Sequence, residues 1–447
     1  MKMRGLASSG FATLATLTAA DRLHADDWPQ WLGPQRDGVW RESGIVETFP
    51  EGGPKVRWRT PIGAGYAGPA VAKGRVFVCD RVTGEALRRN DNFNRAHLPG
   101  TERVLCLDEA TGRILWKHEY DCPYDLAYPS GPRTTPVVAD GKVFTLGAES
   151  HLLCLDADKG AVLWSREFKK DFNANTPVWG FSANPLLDGR KLICVAGGAG
   201  TVAVAFDKDT GKELWRSLSA REPGYCPPMI YEFGGARQLI IWHPEAINSL
   251  DPETGRVNWS VPFEIRSGLT VPTPRKVGDL LFVTSFYNGP MLLKVGAPAT
   301  KPEMVWRGNS NSERNTDKLH SIMTTPFIEG GHIYGVCSYG QLRCLTLDSG
   351  ERVWETLKAT GATGANDRWR HAFLVKHADR FFIANERGDL IIAKLTPKGY
   401  EELSRAHLVE ATNPSPPRGV VWSHPAFANK SVYFRNDKEI ACFSLAK

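Results

Sequence analysis

The sequence predicts an all-β chain folded as an eight-bladed β-propeller, each blade a four-stranded antiparallel sheet. Three observations predict it. The stretch VLCLDEATGRILW (104–116) returns as LDADKGAVLW (155–164), FDKDTGKELW (206–215), LDPETGRVNW (250–259) and LTLDSGERVW (345–354). Its closing tryptophans, Trp116, Trp164, Trp215, Trp259, Trp306 and Trp354, follow one another in steps of 44 to 51 residues, the length of one propeller blade or solenoid repeat. Each repeat also holds four short β-like runs separated by Gly- and Asp-containing turns, with almost no helical periodicity. Finally, the two ends of the chain complement one another, as a closed ring requires.

The elements follow in order. Residues 1–25 have a basic start, an acid-free and modestly apolar run from Gly5 to Ala20, and small residues up to Ala25, which reads as a secretory signal. That run is too short for a membrane span, and nothing later is long and apolar enough to be one. A lead-in segment, 26–54, precedes a single propeller domain, 55–447. KVRWRTPI (55–62) is an unpartnered outer strand carrying Trp58, while the last repeat, SHPAFANKSVYFRNDKEIACFSLAK (423–447), stops after three strands. The first strand is therefore expected to complete the last blade, removing two exposed edges at once. Residues 56–447 divide into eight repeats of about 49 residues, the seventh with a degenerate outer strand at LTPKGYEELSR (395–405) in which Leu403 takes the Trp position.

Within a repeat, VLCLD is a strand, the Asp and Gly that follow suit a tight turn, and RILW resumes the sheet as a hairpin. The repeat tryptophans are wedges between blades. Cys106, Cys154, Cys344 and Cys442 occupy one place in the third strand, where other blades have Ala205 and Ser249. Equivalent places in different blades are too far apart to bridge, so these cysteines are small core residues, with Cys122 and Cys226 in connections as the possible exceptions. The 42% hydrophobic and 23% charged residues describe a globular chain, and a net charge of +6 without a dense basic cluster gives no ground for a nucleic-acid partner. A monomer is expected.

Strand alternation sorts the connections by face. One face has short turns such as ADGK, EGGH and EATGR. The other carries the connections 117–133, 165–182, 307–323, 355–370 and 404–422 and the insertion 81–103, and long loops converging on one end of a rigid scaffold are where binding is placed. At the start of each channel-lining strand the residues are YAGP (66–69), RTTP (133–136), SANP (182–185), YCPP (225–228), VPTP (271–274), MTTP (323–326), WRHA (369–372) and WSHP (422–425). Tyr66, Arg133, Tyr225, Trp369, Arg370, His371, Trp422 and His424 are thereby candidates to gather at the channel mouth, joined by His243 and Tyr287 from links between second and third strands. His371 and His424 share a place in adjacent blades, but two histidines without a third ligand do not make a metal site.

The repeat LDxxTGxxxW resembles the pyrroloquinoline-quinone-like (PQQ-like) propeller repeat over nearly the whole mature chain. DWPQWLGPQRDG (27–38) is similar to the opening of exported propellers of this kind from planctomycete-type bacteria. The resemblance implies eight blades. It does not imply the cofactor, since the same repeat builds quinoprotein alcohol dehydrogenases and a non-enzymatic outer-membrane assembly lipoprotein. The dehydrogenases are marked by vicinal cysteines over the quinone, a calcium held by Glu, Asn and Asp, and in some a CxxCH haem site. This sequence has neither adjacent cysteines nor CxxCH, and no lipobox cysteine, so no site residue carries over and no cofactor is expected, although PQQ with calcium stays open. Two functions follow. One is an exported, periplasmic or extracellular binding or scaffold protein whose mouth takes a glycan, an anionic small molecule or a protein partner. The other is an enzyme at the same mouth, either a divergent quinoprotein oxidoreductase or a polysaccharide-acting enzyme using His and Arg.

Overall fold

The computed structural model describes residues 27–84, 93–363, 367–415 and 418–447. The expected signal, 1–25, and part of the insertion in blade one lie outside the described residues. Eight four-stranded antiparallel sheets form the ring, with first strands Ala70–Ala72, Val137–Ala139, Leu186–Asp188, Met229–Phe233, Arg275–Val277, Phe327–Glu329, Ala372–His377 and Ala426–Ala428. The eighth blade is completed by Val56–Pro61, which pairs with Glu439–Ser444 in a register that sets Trp58 opposite Cys442. Helix is confined to Phe168–Phe172 and a single 3-10 turn, Arg266–Gly268, among the described residues. None of it is long and apolar enough to cross a membrane.

The recurring sequence motif is a clasp between neighbouring blades. Asp108 accepts hydrogen bonds from the Thr111 amide (2.9 Å) and hydroxyl (2.7 Å), which closes the turn and aims Gly112 at the preceding blade. A Cβ on Gly112 would lie 2.5 Å from the Trp58 ring, and one on Gly160 equally close to Trp116. Each of these tryptophans then donates its indole N–H to a turn carbonyl of the following blade: Trp58 to Glu109 (2.8 Å), Trp116 to Ala157 (3.0 Å), Trp164 to Lys208 (2.9 Å). Blade five lacks the motif, and Trp259 turns to Gln238 of its own blade instead (2.9 Å). The hydrophobic core accordingly lies between blades, in clusters such as that of Phe144, Leu152, Cys154, Leu192, Val204 and Phe206. All nine cysteines are buried and free, Cys122 and Cys226 included.

One register assignment is corrected. In six outer strands the residue before Trp forms a bulge, and the Trp itself faces the small third-strand residue, as Trp116 faces Cys106 and Trp354 faces Cys344. In blade seven Ser404 faces Ile392 and Leu403 is the bulge residue, so Ser404 holds the Trp place. Sequence alignment on the apolar residue misses this because a bulge moves the pattern by one. Ser404 accepts a hydrogen bond from the Phe49 amide (2.9 Å), and Phe49 packs against the cluster there in place of the wedge.

The lead-in segment is a plug. Trp28 bridges Val71 of blade one, the Pro29 carbonyl accepts from Val138 of blade two (2.9 Å), and Arg36 donates to the carbonyls of Pro185 (2.9 Å) and Pro228 (3.3 Å) at the starts of blades three and four. The Asp37 carbonyl accepts from Arg275 of blade five (2.8 Å), and Val39 bridges Lys376 of blade seven. Glu42 then takes the Lys430 amide in a short turn of blade eight (3.0 Å). The contacts with Val71, Val138, Lys376 and Lys430 lie toward the short-turn ends of the first strands, where the segment closes the channel, while Arg36 reaches inward as far as the strand starts at Pro185 and Pro228.

Candidate functional site

Closing one side leaves a blind cup of about 210 Å³ opening on the loop-rich face. Its floor is Trp31, whose indole N–H donates to the Thr273 hydroxyl (3.0 Å) and whose ring meets His424 edge-on at 4.3 Å. Its wall is aromatic almost all round. Tyr66 and Tyr128 pack on Trp422 (6.3 and 5.4 Å between centroids), Phe93 on Trp179 (5.4 Å), Trp179 on Tyr225 (5.6 Å) and Phe286 on Tyr287 (4.9 Å). Trp369 and Phe373 complete it. Ring faces crowded this way suit a flat, partly apolar ligand surface. Two guanidinium groups stand among the rings, Arg133 over Tyr66 (5.1 Å) and Arg368 over Trp369 (4.9 Å) and Phe286 (5.4 Å).

Seven of the ten sequence-predicted site residues meet here: Tyr66, Arg133, Tyr225, Tyr287, Trp369, Trp422 and His424. Their roles differ. Arg133 is a loop clasp, donating to the carbonyls of Trp179 (2.8 Å), Ala127 (3.0 Å), Tyr128 (2.6 Å) and Gly131. It holds the aromatic loops and keeps few donors for a ligand. His424 gives Nε2 to a hydrogen bond with the Thr135 hydroxyl (2.7 Å), and burial pushes its pKa down to about 3, so it is a neutral ring at ordinary pH.

Arg370, His371 and His243 do not line the cup. Arg370 binds Asp367 (2.6 Å) and the Gly361 carbonyl (2.9 Å) behind the wall. His371 is fully buried beside Glu386 (3.6 Å), where burial pushes its pKa down to about 4. Glu386, itself 1% exposed, also binds Arg418 (2.6 Å) and accepts the Trp422 indole N–H (3.0 Å). This buried charge cluster therefore sets the angle of a cup ring without touching the cup. His243 is a buried acceptor for the Glu245 amide (3.3 Å).

Sequence reasoning missed Trp31, Phe93, Tyr128, Trp179, Phe286, Phe373 and Arg368. The last two stand close to aligned positions, WRHA and its preceding residue, and counting one residue further each way would have included them. The others lie in connections with no repeat phase. Arg368 is a half-buried cation of the cup wall: one N–H meets the Tyr287 hydroxyl (2.8 Å), Glu313 pairs with it (2.9 Å), and its Nε is buried with no partner among the described residues.

Fit to a calcium-bound quinone can be tested on the donor set. Calcium takes six to eight oxygen ligands, carboxylates prominent among them. No carboxylate lines the cup, and no group of three or more His, Cys, Asp or Glu side chains is placed to hold a metal among the described residues. The residues present do not fit that group.

Fold and site together define a plugged eight-bladed propeller with a blind aromatic cup on its loop-rich face. The chain belongs to the family described as outer membrane protein assembly factor BamB, whose sequence pattern it matches over residues 100–356 and again over 243–446. Its structure is similar to that of BamB from Moraxella catarrhalis, at 16% sequence identity, with 87% of this chain and 98% of that chain covered and a TM-score of 0.54. It is also similar to the quinohemoprotein alcohol dehydrogenase from Comamonas testosteroni (12% identity, 94% and 80% covered, TM-score 0.62) and to the computationally designed Ika8 protein (10%, 86% and 97%, 0.53). No curated protein matches the chain in sequence. At these identities the likenesses are of fold, which an assembly factor, a redox enzyme and a designed ring share.

Proposed function

We propose that this propeller is an exported recognition protein that binds a ring-bearing ligand in the aromatic cup. The observation that carries the reading is the cup's composition: a blind end walled by aromatic rings, with one partly unsatisfied guanidinium and, among the described residues, no carboxylate. Rings supply stacking area at low entropic cost, and Arg368 supplies a directional donor for a hydroxyl or an anionic group. A reacting site needs an acid or base converging on one point. His424, the cup's histidine, is neutral and already bonded to Thr135. Export rests on the basic, small-residue leader up to Ala25, and mass spectrometry of native protein should find a chain starting near Asp26 outside the cytoplasm; an intact Met1 start in a cytoplasmic fraction would overturn it.

The binding test is ligand-detected NMR against a panel of neutral and acidic monosaccharides and small aromatic acids. A cup ligand should lose about tenfold or more in affinity in Arg368→Ala and in Trp422→Ala, since 1.4 kcal/mol is one decade. Lys212→Ala, on the opposite face, should bind as wild type does. Equal affinity of all four proteins for every hit would place the site elsewhere.

A further inference from the structure

Beside the cup the loop-rich face carries a larger depression, an open groove of about 1090 Å³ across the loops of blades three and four. Phe93 and Trp179 belong to both cup and groove, so the two are continuous. Phe93 is 48% exposed at the junction, unusual for so large an apolar ring. The cup alone is smaller than the roughly 300 to 1000 Å³ typical of small-molecule sites. A ligand that fills it and binds well must extend beyond it.

The groove's chemistry selects among chains. Among the described lining residues three cations, Arg95, Arg221 and Arg266, face three acids, Glu222, Glu245 and Glu264, so these carry no net charge. Polyphosphate or polyuronate finds no field to bind. None of the lining residues lies in a strand, so no sheet edge is offered for a peptide to extend as an added strand. Arg221 is committed to Glu245 (3.0 Å) and Glu264 (2.5 Å), and Arg95 to the carbonyls of Asp125 (2.6 Å) and Thr176 (2.7 Å). Arg266 and Glu222 are left without an ion-pair partner among the described residues, the first with its guanidinium 4.8 Å over the cup residue Tyr287, the second half-buried. A free donor and a free acceptor in a neutral trench that starts at an aromatic ledge match a polyol with apolar ring faces.

On the reading of the cup as a binding site, we propose that cup and groove form one end-on site for a linear neutral oligosaccharide, its terminal ring in the cup and the following sugars along the groove past Phe93, Glu222 and Arg266. The test is calorimetric titration with ladders of one to six sugars of β-linked glucose and of β-linked mannose. In the matching ladder, affinity should rise at least tenfold from monosaccharide to tetrasaccharide and then level off. In Glu222→Ala/Arg266→Ala, the ratio of monosaccharide to tetrasaccharide Kd should fall to near one, while Trp422→Ala should weaken every member. Thermal melts of each variant check that it is folded.

Length-independent binding would overturn the groove and leave the cup standing. So would binding of neither ladder by a protein whose cup takes the small ring compounds above. Tighter binding of an oligouronate ladder, or capture of a peptide whose affinity depends on Glu222 and Arg266, would overturn the neutral-glycan assignment. Failure of every cup variant to affect any ligand would instead defeat the underlying reading.

Discussion

Trp369 lines the cup with a φ of +67°, a backbone conformation bulky residues rarely adopt, and Tyr128 across the wall shares it at +53°. Such strain persists only where the surroundings enforce it and a ring is wanted in that place. Trp369→Gly should accordingly be more stable than Trp369→Ala by about 1 kcal/mol, the reverse of the order at an ordinary position, in urea unfolding. Behind the same wall, Glu386 balances Arg418 and Arg370 beside a neutral His371. Glu386→Ala leaves cations buried without it, at a cost of about 3 to 5 kcal/mol, and frees the Trp422 ring. His424 adds a pH dependence. Its folded pKa lies near 3 against an ordinary 6.5 because burial disfavours the charged ring. The unfolded chain takes up a proton near pH 6.5 and the folded chain does not, so the stability is complete above pH 6.5 and drains away as pH falls toward 3. Between pH 6.5 and 4.5 the loss from this one ring is about 2.3 kcal/mol, and His424→Phe should flatten the acid limb of a plot of stability against pH by that amount.

At the level of the blade, the clasp makes a sharp comparison possible between two turn glycines. Gly141 and Gly160 have φ of +72° and +70°, so either substitution strains the backbone alike. A Cβ on Gly141 meets nothing within 4 Å, whereas one on Gly160 runs into the Trp116 ring at 2.5 Å. Gly141→Ala should cost about 1 kcal/mol. Gly160→Ala should cost about 1 to 3 kcal/mol more, because the wedge between two blades must shift. Equal urea midpoints for the two variants would show that the glycine serves the turn alone. Blade seven, where Ser404 and Phe49 replace the tryptophan, shows the same demand met by another segment: the interface must be filled, and the lead-in fills it.

For the whole molecule, residues 27–61 do two separable things. Val56–Pro61 closes the ring by pairing with Glu439–Ser444, and the stretch before it plugs the channel and floors the cup with Trp31. Deleting residues 1–54 should keep the ring but lower its melting temperature, since buried Trp28, Trp31, Trp40 and Ile45 are lost together, and should abolish ligand binding. Deleting residues 1–62 should abolish cooperative melting in calorimetry, because the eighth blade then exposes an unpaired edge along its length. Similar melting of the two truncations would mean that strand closure contributes little.

The repeat, the blade count, the closing strand and the free cysteines were legible in the sequence because each rests on local chemistry repeated at a fixed spacing: an Asp that caps a turn, a Gly that clears a ring, a Trp that follows it. Phase within the repeat also located much of the cup, since strand starts around a ring must converge. It failed where phase carries no information. The plug is a non-repeating segment whose partners lie hundreds of residues away, as in the bonds of Trp40 with His377, 337 residues on, and of Glu42 with Lys430, 388 residues on. Tyr128 and Trp179 sit on connections that Arg133 ties together, taking the Trp179 carbonyl 46 residues on as well as the nearby carbonyls of Ala127 and Tyr128, and Phe93 packs on Trp179. Whether an arginine reaches a ligand or clasps a loop depends on which acceptors the closed ring brings within 3 Å of it, and only the tertiary structure brings them there.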